Sequence, residues 1–218
     1  MAVGRQADTA AQHPVSLNLP NKLTLARLGM VPAFVLLMSF PNAVTLTVAY
    51  VVFIVACITD YYDGKIARER NIVTNFGKLL DPVADKVLVA SAFVMMMTID
   101  AYAIPGWTIV IILGREFLVT GARSLAASEG KVIAADRSGK FKAVFQMVYI
   151  LTLLFFLIVQ YALTAYWPSA FPEAVYQSLD SFLKVASFWG IVFVALLTLY
   201  SGVVFARVNW GLLRAGQS

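Results

Sequence analysis

The chain has 218 residues, of which 60% are hydrophobic and only 13% charged, and a mean hydropathy of +0.78. That composition excludes a water-soluble globular domain and falls in the membrane class. Seventeen basic against twelve acidic residues give a net charge of +5, but they are spread over alternate connections instead of one patch, so the charge is read as topology and no nucleic-acid partner is expected.

The first stretch, Met1–Pro20, lacks the charged, apolar and small-residue order of a cleavable signal, and residues 1–17 are expected to be a flexible cytoplasmic tail; His13 lies there and receives no role. Asn21, Thr24 and Arg27 then recur three residues apart on one face of a short amphipathic entry segment. They are candidate substrate contacts, with the alternative that an interfacial helix turns such residues toward water.

Six apolar runs follow, centred on Leu23–Phe40, Ala43–Ile58, Leu79–Ile99, Trp107–Leu125, Val144–Tyr166 and Val185–Ala206. Roughly 20 residues cross about 30 Å of hydrocarbon, so an all-α integral membrane protein of six transmembrane helices is predicted. One membrane domain over residues 18–210 and a short cytoplasmic tail over 211–218 are expected, with no internal repeat. Arg5, Lys22, Arg27, Lys65, Arg68, Arg70, Lys78, Lys131, Arg137, Lys140, Lys142, Arg207 and Arg214 fall at one end of the spans, while Pro41-Asn42 and Asp100–Gly106 carry no Lys or Arg and Pro168–Lys184 only Lys184. Both termini are therefore predicted to be cytoplasmic. Cys57, the single cysteine, excludes a disulfide and reads as a small buried residue.

Between the second and third runs stand four aspartates, Asp60, Asp63, Asp81 and Asp85. A carboxylate at mid-bilayer costs roughly 2.5–3.5 kcal/mol, so such residues face an interior and mark function. No Pro or Gly interrupts the second run before Gly64, which predicts a helix to about Arg68 with Asp60, Asp63, Gly64 and Ala67 on one face. Gly77, Asp81 and Asp85 step by four and share a face of the third helix. Pro82 either opens that helix behind an Asp81 cap or kinks it. Four carboxylates converging from two helices match hard divalent cations, which as a pair clamp the oxygens of a phosphoryl transfer. The alternative for any single acid is a helix cap. A cation transporter would also use membrane carboxylates, but its site belongs near the midplane of repeated halves, and here the acids cluster at one face.

In the fourth run Arg115 lies inside apolar sequence and needs a partner. Glu116, about 100° around the helix, is expected to be a poor one. Arg115, Arg123 and Lys140 are predicted to form a pocket for an acceptor carrying a phosphate, the alternative for the last two being anchors that snorkel to water.

The stretch reads D60-YY-D63-G64-KI-A67-R68, eight residues, then G77-KLL-D81-PVA-D85. It resembles the signature of the CDP-alcohol phosphatidyltransferase family, DG-x2-AR-x8-G-x3-D-x3-D with one upstream aspartate, and every fixed position is present. Asn18–Leu28, Gly114–Ser124 and Ser138–Lys142 are similar to motifs of the branch that makes phosphatidylglycerophosphate. The resemblance implies six membrane helices, a homodimer in the cell (inner) membrane with a cytoplasmic active site, and a donor that is CDP-diacylglycerol, attacked by an alcohol so that CMP leaves. It implies that Asp60, Asp63 and Asp81 hold two Mg²⁺ or Mn²⁺ ions, that Asp85 completes the metal site and is the general base, and that Asp60, Asp63, Gly64, Ala67, Arg68 and Gly77 meet the nucleotide. The phosphate pocket favours glycerol 3-phosphate as acceptor, with phosphatidylglycerol, as in cardiolipin synthase, or inositol phosphate as alternatives.

Overall fold

The structure is a computed structural model that describes the backbone of residues 19–69, 75–128 and 137–214, and the side chains within those ranges except for residues 19–21, 61–69, 75–82, 85, 137, 138 and 211–214. Six helices follow in order: α1 (Leu19–Ser39), α2 (Ala43–Glu69), α3 (Asn75–Met97), α4 (Gly106–Ser128), α5 (Arg137–Tyr166) and α6 (Glu173–Arg214). There is no strand among the described residues. The expected tail over 1–17 lies outside them.

The tight first connection is built by Asn42, whose Oδ1 accepts from the Val44 and Thr45 amides at 3.0 and 2.9 Å while the Asn42 amide donates to Thr45 Oγ1 at 3.0 Å. This reciprocal cap satisfies the open donors of α2. Tyr102, between α3 and α4, is buried in the core and donates its hydroxyl to the Leu153 carbonyl of α5. Burial pushes its pKa well above the usual tyrosine value, so it stays a donor.

Each helix buries one stripe. On α1 it runs Thr24, Arg27, Val31, Phe34, Met38; on α5 Lys142, Gln146, Ile150, Leu153, Leu154, Leu157; on α6 Leu183, Ser187, Ile191, Val194, Thr198, Ser201, Phe205. Those spacings of three and four are the helical period. The N-terminal ends of the α1 and α5 stripes are polar, with Arg27 and Lys142 turned inward. α1 packs along both α2 and α3, whereas α6 packs against α4 and α5.

Four stretches are long and apolar enough to cross a bilayer unaided: Lys22–Ser39, Ala43–Asp60, Gly139–Tyr166 and Glu173–Trp210. The six predicted runs correspond in order to the six helices. The described apolar part of α3 is Lys86–Met97, and α4 carries Arg115 and Glu116 near its middle and Arg123 toward its end. The connection expected over Pro168–Lys184 is also shorter, since α6 starts at Glu173 and Lys184 pairs with Asp180 one turn back at 2.8 Å.

Candidate active site

The apolar stretch of α2 ends on Asp60, and the helix continues through Glu69. Its final turns carry Asp63, Gly64, Ala67 and Arg68, and at about 100° per residue Asp63, Gly64 and Ala67 stay on the Asp60 face. α3 begins at Asn75, so Gly77, Asp81 and Asp85 lie in its first turns and Pro82 falls inside the helix. Asp81 is therefore not its N-cap, which removes one of the two readings of Pro82. The side chains of Asn21, Asp63, Gly64, Ala67, Arg68, Gly77, Asp81 and Asp85 lie outside the described residues. The two acidic helices share α1 as a neighbour, and among the described residues they make no extensive contact with each other.

Asp60 is held from α1. Arg27, only 1% exposed, places Nη1 2.5 Å from Asp60 Oδ1. An arginine in apolar surroundings needs a carboxylate, and Arg27 brings a guanidinium nitrogen within ion-pair distance of Asp60. The alternative that an interfacial helix turns Thr24 and Arg27 to water does not hold, because both lie on the buried stripe of α1. Asp60 itself is 36% exposed, so an ionised oxygen donor is presented at an accessible edge, a chemistry that suits a hard divalent cation. Among the described residues no three His, Cys, Asp or Glu side chains gather at one point, Asp60 being the one described member of the four.

A second charged centre forms where α3, α4 and α5 meet. Glu116 receives Lys142 at Oε1, Arg115 Nη1 at 3.3 Å on the same oxygen, and Lys86 Nζ at 3.4 Å on Oε2. Arg115 Nη2 donates to Ser201 Oγ of α6 at 2.7 Å. The expectation that Glu116 is a poor partner for Arg115 is overturned. The two side chains are long enough to swing together, and Glu116 sits on the buried stripe that runs from Ile112 to Val119. Gly202 leaves room for the arginine stem, since a Cβ there would lie 3.1 Å from Arg115 Cγ. The other face of Arg115 lines an apolar cavity of about 570 Å³ between α4 and α6, with Leu118, Val203 and Phe205.

Of the three residues expected to share a phosphate pocket, Arg115 reaches the start of α5, where a Cβ on Gly139, next to Lys140, would lie 3.8 Å from its Nη2. Arg123 lies two turns beyond Arg115, with its guanidinium 5.5 Å from the centre of the Phe205 ring. Lys140 is exposed, and the basic residue of that segment that turns inward is Lys142, 3% exposed. Glu116, Lys86 and Lys142 were not expected to form this charged centre. Register could have found them, because Lys142 steps by four to Gln146 and Ile150 and so continues an apolar stripe.

Helices long enough to cross a bilayer, carrying acids and paired cations at one end, define an integral membrane protein with a charged site at the end of its bundle. Residues 17–172, well over half of the chain and including the whole 60–85 signature, match the family described as CDP-alcohol phosphatidyltransferase. The chain belongs to the CDP-alcohol phosphatidyltransferase family, a family of transferases. It is 42% identical over 149 residues to a Bacillus subtilis (strain 168) protein named CDP-diacylglycerol–glycerol-3-phosphate 3-phosphatidyltransferase, covering 63% of this chain and 76% of that protein. A protein of the same name from Rickettsia prowazekii (strain Madrid E) is 40% identical over 134 residues, 61% of this chain and 72% of the relative. Another from Sodalis glossinidius (strain morsitans) is 37% identical over 146 residues, 64% and 78% of the two chains.

Proposed function

We propose that this chain transfers the phosphatidyl group of CDP-diacylglycerol to glycerol 3-phosphate, releasing CMP and phosphatidylglycerophosphate at the cytoplasmic face of the cell membrane, as one half of a homodimer. The observation that carries this reading is the family match over residues 17–172, which contains every fixed position of the 60–85 signature; the relatives' printed names supply both substrates.

Asp60, Asp63, Asp81 and Asp85 are proposed to hold two divalent cations, Mg²⁺ or Mn²⁺, which when bound supply positive charge at the diphosphate oxygens. Arg27 keeps Asp60 ionised and oriented from the side away from the substrate. Gly64, Ala67 and Gly77 let the nucleotide approach the backbone, Arg68 meets a phosphate oxygen, and Asn21 and Thr24 border the same space. Asp85 takes the proton of the acceptor hydroxyl. The freed oxygen forms a bond to the phosphorus that carries the diacylglycerol, the bond from that phosphorus to the bridging oxygen breaks, and CMP leaves with the electron pair. Arg115 anchors the acceptor's phosphate, and Arg123 and Lys140 draw the anion toward it.

The test is purified protein with labelled CDP-diacylglycerol and Mg²⁺ or Mn²⁺, offered glycerol 3-phosphate, phosphatidylglycerol or inositol phosphate in turn, with CMP as readout. Release with glycerol 3-phosphate alone is expected, and chelation should abolish it until the cation is restored. Release only with one of the other alcohols would move the acceptor, and no release with any would end the enzymatic reading.

A further inference from the structure

Glu116 is an acid that the proposed chemistry leaves unused, yet cations from three helices meet on it: Lys86 from α3, Arg115 from its own α4 and Lys142 from α5. Three like charges in a partly buried space repel one another strongly, and a shared carboxylate is what lets them occupy it together. Glu116 is 17% and Lys142 4% exposed along the side chain, so bulk water does little of this screening. A cavity of about 50 Å³ opens beside the cluster, lined by Lys86, Glu116, Lys142 and Gln146 among others. Gln146 is 4% exposed, and its Nε2 is a buried donor with no acceptor among the described residues. Buried donors without partners are rare and mark a place for a ligand or water oxygen. Lys86 also follows Asp85 directly on α3, which ties this cation set to the acidic helix.

Resting on the reading above, we propose that Glu116 is a positioning residue for the acceptor. Its carboxylate gathers Lys86, Arg115 and Lys142, with Gln146 beside them, into one set of donors for a phosphate monoester, and so fixes where the acceptor's phosphate sits relative to Asp85. Without the carboxylate the cations move apart, and the acceptor must spend binding energy to bring them together again. The loss then falls on acceptor affinity more than on the turnover of the filled enzyme.

The experiment is steady-state CMP release by full-length protein in detergent, with each substrate varied at saturating levels of the other, for wild type, Glu116→Gln and Glu116→Asp. Glu116→Gln is expected to raise the KM for glycerol 3-phosphate about tenfold, with kcat lowered no more than about threefold and the KM for CDP-diacylglycerol changed less than about twofold. Glu116→Asp keeps the charge on a shorter arm and should recover part of the acceptor affinity, leaving an acceptor KM about threefold above wild type. Equal rises in both KM values, or a fall confined to kcat, would overturn the proposal. If Glu116→Gln does not fold, Glu116→Asp decides alone: a selective rise in acceptor KM of about threefold supports it, and no selective change overturns it. A wild type that releases no CMP with glycerol 3-phosphate would instead strike the function on which the proposal rests, a result separate from either variant's.

Discussion

Arg27 shows what a single side chain does for the acidic site. A guanidinium this deeply buried leaves a large desolvation cost that Asp60 offsets, and the pair holds the carboxylate in one geometry. Arg27→Met should cost about 2 kcal/mol of stability, below the value for a fully buried pair because water reaches Asp60. It should also lower CMP release at least about tenfold, with Arg27→Lys falling between because a point charge lacks the fork. Thermal unfolding and CMP release measured on the same preparations check both, and an Arg27→Met protein with wild-type turnover would remove Arg27 from the site. Asp85→Asn should keep wild-type thermal stability and lose turnover by about a hundredfold or more, the scale of a missing general base. The acids were legible because an aspartate beside apolar sequence is conspicuous. The inward turn of Arg27 was not, because its neighbours Asn21 and Lys22 are polar and the stripe becomes visible only when Thr24 and Arg27 are read together with Val31, Phe34 and Met38.

Helix against helix, the bundle relies on close approaches that small residues permit. Gly190 of α6 faces Tyr149 of α5 so closely that a Cβ would lie 2.5 Å from the ring edge. The ring cannot step aside cheaply, because its hydroxyl donates to the Ser187 carbonyl at 2.7 Å and it stacks on Phe93 at 6.4 Å. Gly190→Ala should therefore destabilise the protein by about 1–3 kcal/mol through overpacking. Gly29→Ala on the exposed side of α1, where nothing lies within 4 Å, should be neutral or slightly stabilising. Melting temperatures in detergent compare the two, and equal shifts would deny that the α5–α6 contact is tight. At this scale the sequence announces each helix by its apolar run, and α2 extends through Arg68 as its unbroken pattern required. Hydropathy averaged over a window reads α3 and α4 as spans and at the same time dilutes Asp81, Asp85, Arg115, Glu116 and Arg123. The partners that make those charges tolerable come from other helices, and no local pattern contains them.

Across the whole molecule charge is divided between two ends. Arg27, Lys86, Arg115 and Lys142 gather near the acidic segment, while Asp100, Asp180 and Lys184 line a separate cavity of about 270 Å³ with Gln160 and Thr164. At about 1.5 Å per residue the 42-residue α6 is about 63 Å long, twice the hydrocarbon thickness, so it must project into water as well as cross. On the positive-inside rule we propose that the Arg- and Lys-rich end faces the cytoplasm, the side on which a water-soluble glycerol 3-phosphate and a departing CMP would be handled. Replacing Cys57, the single native thiol, with alanine allows new thiols to report this orientation. Ser128 closes α4 and Ser169 lies between α5 and α6, both exposed and at the connections before and after α5. In intact cells an impermeant maleimide should label Ser169→Cys, and Ser128→Cys only after the membrane is opened. The reverse pattern would put the signature end outside the cell, and the acceptor would then have to arrive from the far side of the membrane.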